Sequence, residues 1–347
     1  MSEFRQNLAT GEWIIIAAER ARRPESFARV HQSLAELPAC DPGCPFCPGK
    51  EDATPEAILT LPSPAKPGVW EVRVVPNKYP ALAPDDEQNV QCSIHDGPYL
   101  KRSGIGRHEV IIESPLHNSD LPLLSKSHME AVALAFHQRY NALIQIPTTE
   151  LVLLFRNHGP NAGTSIVHPH SQIIATSMVP GRVRTKLYEG QRYFDKYHRC
   201  VYCDLLDYEV EYRQRIIMEN EHFVAFTPYA SSMPYEMLLL PRHHHPTFSS
   251  IEPDELRDMA HLLRDLLARL WRLLDNPDYN FVLDTAPEHM SRVPFYHWHL
   301  AIYPKITTPA GFEIGSGIGI NVIPPEQAAV DLRNTSGARV TQEEMRR

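Results

Sequence analysis

Two histidines and a glutamine at alternate positions are the residues whose types and spacing point most directly to chemistry. They are His168, His170 and Gln172, within the segment 165–174. That segment is apolar enough to form a strand, in which side chains two residues apart lie on one face, roughly 6.5 to 7 Å apart. We therefore expect three polar groups to line one surface.

A glycine-bearing loop precedes this strand, with Gly159 and Gly163 in the segment 156–165. Glycine lets backbone amides approach a ligand closely and form a concave donor set for phosphate. A neutral imidazole beside such a loop can attack phosphorus and divide one displacement into two steps. His170 is the candidate nucleophile, and Gln172 can donate a hydrogen bond to a phosphoryl oxygen. The competing interpretation is a polar strand face without a chemical role.

The elements that position these residues occur twice along the chain. In each half a strand leads from a glutamate to a histidine eight residues later, Glu109 to His117 and Glu236 to His244. An amphipathic helix, a short apolar strand, a loop and a His-x-His pair follow in the same order. The matched elements are the helices 127–145 and 254–274, the strands 150–155 and 278–284, and the pairs His168/His170 and His297/His299.

This repetition predicts an internal duplication of an α+β unit, with antiparallel strands and helices packed on the sheets. The expected halves are 1–190 and 191–347, with a boundary near 185–200. Ser127 and Glu130 are spaced as a capping box for the first helix. The second helix carries a leucine stripe. Because the loop 285–294 has no glycine, the first half is predicted to be the catalytic one.

Each half opens with a C-x-x-C pair, and such pairs in a cytosolic chain favour metal sites over structural disulfides. The duplication supplies two histidines for each pair, which predicts two Cys₂His₂ zinc sites that stabilise the fold. The alternatives are a redox dithiol or reduced cysteines in a turn. His243 and His245 flank His244, so its selection depends on register. The predicted ligands are Cys44, Cys47, His117 and His168 at the first site and Cys200, Cys203, His244 and His297 at the second.

Composition limits the class of protein. The chain has 347 residues, 43% of them hydrophobic and 22% charged, with a net charge of −8. No window approaches the run of about 18 apolar residues that a membrane span needs, and the net charge disfavours non-specific nucleic-acid binding. The first residues do not resemble a secretory signal. We expect a soluble, cytoplasmic protein that binds neither nucleic acid nor membrane.

The segment His168-Pro169-His170-Ser171-Gln172, together with the loop before it, resembles the galactose-1-phosphate uridylyltransferase branch of the histidine-triad superfamily. The resemblance implies two tandem histidine-triad-like units and a ping-pong exchange between UDP-glucose and a hexose 1-phosphate through a uridylylated His170. It also implies zinc and a homodimer in which residues 305–313 reach the neighbouring subunit. The implied substrate-binding residues are Arg20, Arg23, Asn77, Asn157, Gly163, Ser165, Gln172, Lys305, Phe312 and Glu313.

The segment after Glu313 departs from the galactose enzymes, which carry a glutamine where this chain has Ile314 to Gly319. Together with Lys78 and the second C-x-x-C pair, the segment also resembles ADP-glucose phosphorylase. A second hypothesis is therefore an ADP-sugar or dinucleoside polyphosphate phosphorylase that uses the same histidine. A third is a zinc-stabilised nucleotide-binding protein without turnover. The sequence leaves zinc and iron both open at the second metal site.

Overall fold

The computed structural model describes residues 2–22, 34–64, 66–84, 93–341 and 343–344. Within these ranges, the helices include no segment with the length and apolar character of a membrane span. The strands are β1 (Glu3–Gln6), β2 (Trp13–Ile16), β3 (Leu59–Pro62), β4 (Trp70–Pro76), β5 (Ser93–Asp96), β6 (Tyr99–Arg102), β7 (Gly106–Ile112), β8 (Leu151–His158), β9 (His170–Thr176), β10 (Ile216–Glu219), β11 (Phe223–Phe226), β12 (Met237–Pro241), β13 (Tyr279–Asp284), β14 (His299–Pro304) and β15 (Gly319–Asn321). The α-helices are α1 (Lys126–Ile144), α2 (Gly181–Tyr197), α3 (Val201–Tyr212), α4 (Pro253–Leu274), α5 (Gly311–Ser316) and α6 (Pro325–Asn334).

Strands from both halves form one continuous antiparallel sheet. In the described part of the chain it has ten strands, in the order β10-β11-β12-β14-β13-β8-β9-β7-β4-β3. Read outward from its centre, the order is β8-β9-β7-β4-β3 on one side and β13-β14-β12-β11-β10 on the other. Each strand therefore has a counterpart at the same distance from the centre. The predicted α+β class, antiparallel strands and internal duplication are confirmed.

The pairing register shows the same symmetry. Phe155 faces Gln172 across β8 and β9, and Val282 faces Ala301 across β13 and β14. Phe155 and Val282 also face each other at the junction of the halves. A pseudo-twofold axis therefore passes through this central pair, and Ala301 occupies the position in the second half that Gln172 occupies in the first.

Helices α1 and α4 pack together on one face of the sheet and bury the main core. The predicted leucine stripe of α4 faces this core, with Leu263 and Leu266 fully buried and Leu273 partly buried. The predicted capping box of α1 is wrong. The helix begins one residue earlier, and Ser125 caps it by accepting a hydrogen bond from the backbone N–H of His128 at 3.1 Å.

The opposite face is covered differently in the two halves. In the second half α2 and α3 pack over the sheet in a second core that includes Leu187, Tyr202 and Phe226. The small sheet β1-β2-β15 lies apart from the large one. Because α2 spans the predicted boundary near residue 190, the division into 1–190 and 191–347 stays a prediction.

The strands that carry the His-x-His pairs are shorter than predicted at their N-terminal ends. Strand β9 begins at His170 and β14 begins at His299. His168 and His297 therefore precede the strands, and the expectation of a strand from residue 165 is wrong. The side chain of the first histidine in each pair therefore does not follow the alternation of side chains along the strand. It contacts a cysteine of the neighbouring C-x-x-C pair instead.

Candidate active site and metal centres

His170 is held in one orientation by its own backbone. Its Nδ1 lies 2.8 Å from the carbonyl oxygen of His168, so Nδ1 carries the proton and donates it. Its Nε2 is then left with a lone pair. Burial lowers the pKa of His170 to about 4, so the ring is uncharged at neutral pH. The geometry thus presents an unprotonated nitrogen on a fixed ring.

A cavity of about 330 Å³ lies in front of this histidine. The loop between β8 and β9 forms much of its wall. Residues that line it include Asn157, Gly159, Ser165, Val167 and His170. The structure therefore brings the predicted residues Asn157, Ser165 and His170 to one cavity, with His168 beside it.

Gly159 of this loop is required by a close contact inside the protein. Gly159 has a φ of +83°, and a Cβ there would lie 1.9 Å from the Asp278 carboxylate. The backbone N–H groups from Asn161 to Thr164 are hydrogen-bonded within the protein. The predicted role of Gly163 in substrate binding stays a prediction. Within the described residues, the N–H groups of Ser165, Ile166 and Val167 have no protein partner, so these three groups are available to donate to a bound anion.

Two residues at or just before the start of β13, in the second half of the chain, hold the loop between β8 and β9 in place. The Asp278 carboxylate accepts a hydrogen bond from the backbone N–H of Asn161 at 2.7 Å. The Asn280 amide donates to the Asn157 side chain and to the carbonyl of Ala162, both at 2.9 Å. The first half therefore depends on the second half for the shape of its cavity.

A buried charge network lies behind the strand. Arg156 donates to Glu113 at 3.0 Å and to Asp120 at 2.6 Å, and each of these side chains is at most 2% exposed. Burial opposes the charge on Arg156, but the carboxylates of Asp120 and Glu113 outweigh it and raise the pKa of the guanidinium. Ser171 donates to the other oxygen of Glu113. The network thus fixes the backbone that carries the candidate nucleophile.

The first predicted metal group comes together in the structure. One ligand atom from each of Cys44, Cys47, His117 and His168 lies within 4.8 Å of the others. The Cys47 Sγ is 3.6 Å from Nδ1 of both histidines. A tetrahedron with zinc–sulfur bonds of about 2.3 Å and zinc–nitrogen bonds of about 2.05 Å has sulfur–nitrogen edges of roughly 3.6 Å. The donor set and its spacing fit zinc.

The other nitrogen of His168 donates to the carbonyl of Ser114 at 2.7 Å. Such an outer hydrogen bond is typical of a metal-bound histidine, because it fixes the ring and its tautomer. Nδ1 of His168 is then unprotonated and faces Cys47. This side chain therefore anchors the residue that precedes the candidate nucleophile by two positions.

The second predicted group also assembles, from Cys200, Cys203, His244 and His297. The Cys203 Sγ is 3.2 Å from Nδ1 of His244 and 3.6 Å from Nδ1 of His297. Its cysteines lie at the N-terminus of α3 and not in a turn like that of the first pair. His243 and His245 lie instead beside Glu255, so the structure groups His244 with the cysteines.

In the second half, His299 makes the same backbone contact as His170, but different groups face its other nitrogen. Nδ1 of His299 lies 3.1 Å from the carbonyl of His297, as in the first half. Its Nε2, however, faces the Asp284 carboxylate at 3.5 Å, and Asp284 is paired with Lys186 at 2.8 Å. Burial opposes the charge of Asp284, but Lys186 and His299 hold its pKa well below the usual range. A fixed anion in front of this histidine disfavours an approaching phosphate.

Three further predicted residues, Asn77, Gly163 and Gln172, lie near His170 or its loop but are not among the residues that line the cavity, and the others lie elsewhere. Arg20 is exposed in a 3₁₀ turn, Phe312 is exposed and Glu313 is half-buried on α5, and Lys305 follows β14. Arg23 lies outside the described residues. Among the described residues that line the cavity, none is Arg20, Lys305, Phe312 or Glu313. A role for them requires another subunit or a bound ligand.

Three residues with clear contacts at the site were missed from the sequence: Asp278, Asn280 and His108. Asp278 and Asn280 alternate in an otherwise apolar segment, which was a readable signal for one polar strand face. His108 lies within β7, the strand before His117, and its partner Gln172 becomes visible only when β7 and β9 are paired.

Family models identify the relatives of this chain. The model described as galactose-1-phosphate uridyl transferase, N-terminal domain, matches residues 1–180, and that of the C-terminal domain matches residues 186–336. The chain belongs to the galactose-1-phosphate uridyl transferase family. The two matches together cover both halves of the duplicated fold.

Relatives in this family include two kinds of enzyme. ADP-glucose phosphorylase of Arabidopsis thaliana is 32% identical over 338 residues, which cover 96% of this chain and 93% of the relative. Galactose-1-phosphate uridylyltransferase of Thermotoga maritima is 29% identical over 343 residues, covering 96% and 99%. The structure of the Arabidopsis thaliana ADP-glucose phosphorylase with bound ADP-glucose aligns with a TM-score of 0.81 and 30% identity over 97% of this chain and 100% of the other. A uridylyltransferase structure aligns with a TM-score of 0.72 and 25% identity over 96% and 97%.

Proposed function

We propose that this protein is a nucleotidyltransferase that moves a nucleoside monophosphate from a nucleotide sugar to a hexose 1-phosphate through a covalent adduct on His170. The observation that supports this most strongly is the ring of His170, which lines the cavity and is held through Nδ1, so that its Nε2 is unprotonated. Membership of the uridyl transferase family supports UDP-glucose as the donor.

The chemistry follows from the geometry in two displacements. In the first, Nε2 of His170 forms a bond to the α-phosphorus, the bridging P–O bond breaks, and glucose 1-phosphate leaves with the electron pair. The imidazolium that results keeps its Nδ1–H directed at the His168 carbonyl. In the second, a phosphate oxygen of the acceptor attacks phosphorus and the N–P bond breaks. Gln172 supports both steps by donating to a phosphoryl oxygen.

A phosphorylase is the second candidate function, with an ADP-sugar as donor and inorganic phosphate as acceptor. It is supported by the 32% identity to ADP-glucose phosphorylase, which is above the 29% identity to the uridylyltransferase of Thermotoga maritima. The same adduct on His170 serves both functions. They differ in the nucleoside of the donor and in the group that removes it from the histidine.

A donor and acceptor profile separates the two functions. Purified enzyme is incubated with UDP-glucose or ADP-glucose and with galactose 1-phosphate or inorganic phosphate, and the nucleotide products are separated by chromatography. We expect UDP-galactose from UDP-glucose and galactose 1-phosphate. Formation of ADP from ADP-glucose and phosphate, with no UDP-galactose, would establish the phosphorylase instead.

We further propose that each Cys₂His₂ group holds a zinc ion with a structural role. All four positions of a tetrahedral site are filled by protein ligands, so no position is open for a reactive water. Bound zinc would supply folding free energy by cross-linking distant segments of each half. At the first site it would also fix His168 and thereby the position of His170.

Metal content gives a direct check on these sites. We expect two zinc ions per chain by elemental analysis, and one in either Cys47→Ser or Cys203→Ser. Both variants should unfold at a lower temperature, because the remaining ligands no longer close the site. Cys92→Ser is the control, since Cys92 belongs to neither C-x-x-C pair. Zinc retained in full by Cys47→Ser would contradict the first site.

A homodimer is proposed from the family, and one surface of this chain is suited to it. Phe312 is 51% exposed and Ile314 is 76% exposed on the short helix α5. Neither lines the cavity of its own chain. In a homodimer these residues and Glu313 would approach the site of the neighbouring subunit.

A further inference from the structure

His108 lies beside Gln172 on the face of the sheet that carries the candidate nucleophile. In the register of β7 and β9, Val110 faces Gln172 and His108 faces Ile174, so His108 and Gln172 are diagonal neighbours. Nε2 of His108 is 2.8 Å from Oε1 of Gln172. The ring is half-buried, so this contact is partly sheltered from water.

The other nitrogen of the ring decides which atom is the donor. The backbone N–H of Ala81 points at Nδ1 of His108 at 3.2 Å, and an amide N–H can only donate. Nδ1 is therefore the acceptor, and the proton of the neutral ring lies on Nε2. Burial lowers the pKa of His108, so the ring stays neutral at pH 7. His108 thus donates to the amide oxygen of Gln172.

This hydrogen bond determines how the glutamine faces a substrate. With its oxygen engaged by His108, the Gln172 amide directs its NH₂ group away from the ring, and within the described residues that NH₂ group has no protein partner. In the reverse orientation the amide oxygen would face the phosphoryl oxygens, where like partial charges repel. A fixed donor is more effective than a free one, because no reorganisation is needed when charge develops.

The same ring also contacts the segment after β4. The side-chain nitrogen of Asn77 approaches both ring nitrogens of His108, at 3.4 Å from Nδ1 and 3.2 Å from Nε2, while its oxygen accepts the backbone N–H of Tyr79 at 2.9 Å. The backbone N–H of Asn77 donates to the carbonyl of His108 at 2.8 Å. His108 therefore joins the segment 77–81 to the residue that faces the phosphate.

We infer that His108 is a positioning residue that orients the Gln172 amide, and with it the segment 77–81, toward the α-phosphoryl group of the donor. The inference depends on the proposed function, since it assigns Gln172 a phosphoryl contact. His108 itself does not touch the reacting atoms. It acts through the orientation of one amide.

A double-mutant cycle on the rate of adduct formation tests this role. Single-turnover rates with UDP-glucose are measured for wild type, His108→Ala, Gln172→Ala and the double variant. We expect His108→Ala to lower the rate by roughly 10- to 100-fold, because removing one such donor outright costs about 10²- to 10³-fold. In the Gln172→Ala background the same substitution should change the rate by less than about twofold.

Rescue and stability measurements separate positioning from a general structural effect. His108→Gln retains one donor and one acceptor and should recover part of the rate. His137→Ala removes another half-buried histidine, on the helix side of the sheet, and is the matched control. Equal rate losses from His108→Ala in both backgrounds would overturn the inference, as would an unchanged rate.

The tautomer of His108 can be measured without any turnover. Long-range ¹H–¹⁵N correlation spectra of histidine-labelled protein should show His108 as the neutral Nε2–H form, and Gln172→Ala should shift its Nε2 resonance. An Nδ1–H form would overturn the inference whether or not an adduct forms. Failure of the wild type to form an adduct, with the Nε2–H form observed, would instead contradict the proposed function.

Discussion

Replacing His170 with alanine is expected to lower the rate of nucleotidyl transfer by roughly 10³-fold or more, because His170 forms the covalent bond to phosphorus in the proposed mechanism. The matched control is His299→Ala. His299 is the pseudo-twofold counterpart, with the same Nδ1 contact to a backbone carbonyl. Because Asp284 stands in front of it, its removal should leave the rate within about twofold. Steady-state kinetics of both variants make the comparison.

The comparison is sharp because the two histidines have similar burial and local backbone contacts. Loss of activity through misfolding should affect both variants, and circular dichroism with thermal unfolding detects it. Substantial activity in His170→Ala would contradict the assigned nucleophile. Equal loss in both variants would indicate a structural effect.

Replacing Arg156 with methionine is expected to lower the free energy of unfolding by about 3 to 5 kcal/mol. The substitution leaves the carboxylates of Glu113 and Asp120 without their buried cation, and both side chains are at most 1% exposed. Burial already raises the pKa of Glu113, and Arg156 opposes that rise. Urea denaturation at neutral pH measures the difference.

Arg257→Met is the control for this prediction. Its partner Asp254 lies three residues away on α4, and both side chains are more than half exposed. Surface pairs of this kind contribute roughly 0 to 1 kcal/mol, so the control should be close to wild type. A similarly small effect at Arg156 would show that the network does not support the strand of the candidate nucleophile.

The order of the duplicated elements could be predicted because it follows from residue patterns that are local along the chain. The glutamate-to-histidine spacing, the leucine stripe of α4 and the His-x-His pairs all depend on neighbours along the chain. The cap at Ser125 was missed because two serines compete for it, and backbone geometry at the helix start decides between them. The pairing of β8 with β13 joins distant segments, which no local pattern specifies.

The cysteine and histidine groups of the candidate site could be predicted from the sequence, but the contacts that hold its loop in place could not. The two groups of cysteines and histidines were found because duplication supplied ligands that spacing alone could not. The contacts of Asp278 and Asn280 with the loop arise across the junction of the halves. Similarly, the amides from Asn161 to Thr164 are hydrogen-bonded within the protein because the loop folds on itself after Gly159.

The two halves share the same order of strands. They differ in the groups that lie in front of the second histidine of each His-x-His pair. In the first half Gln172 lies two residues after His170, and the cavity in front is open to a ligand. In the second half Ala301 takes the place of the glutamine, and a Lys186–Asp284 pair lies in front of His299. The second half thus supplies strand pairing and loop contacts, while the first carries the candidate nucleophile.

The intact mass of the protein after incubation with a nucleotide sugar, without acceptor, tests the central claim most directly. Wild type and His299→Ala should gain the mass of one nucleoside monophosphate from UDP-glucose or ADP-glucose, and His170→Ala should gain none. The mass of the added group also identifies the nucleoside. Peptide mapping under neutral conditions should place the adduct on His170. No mass gain in wild type with either donor, or an adduct that persists in His170→Ala, would contradict covalent transfer through this residue.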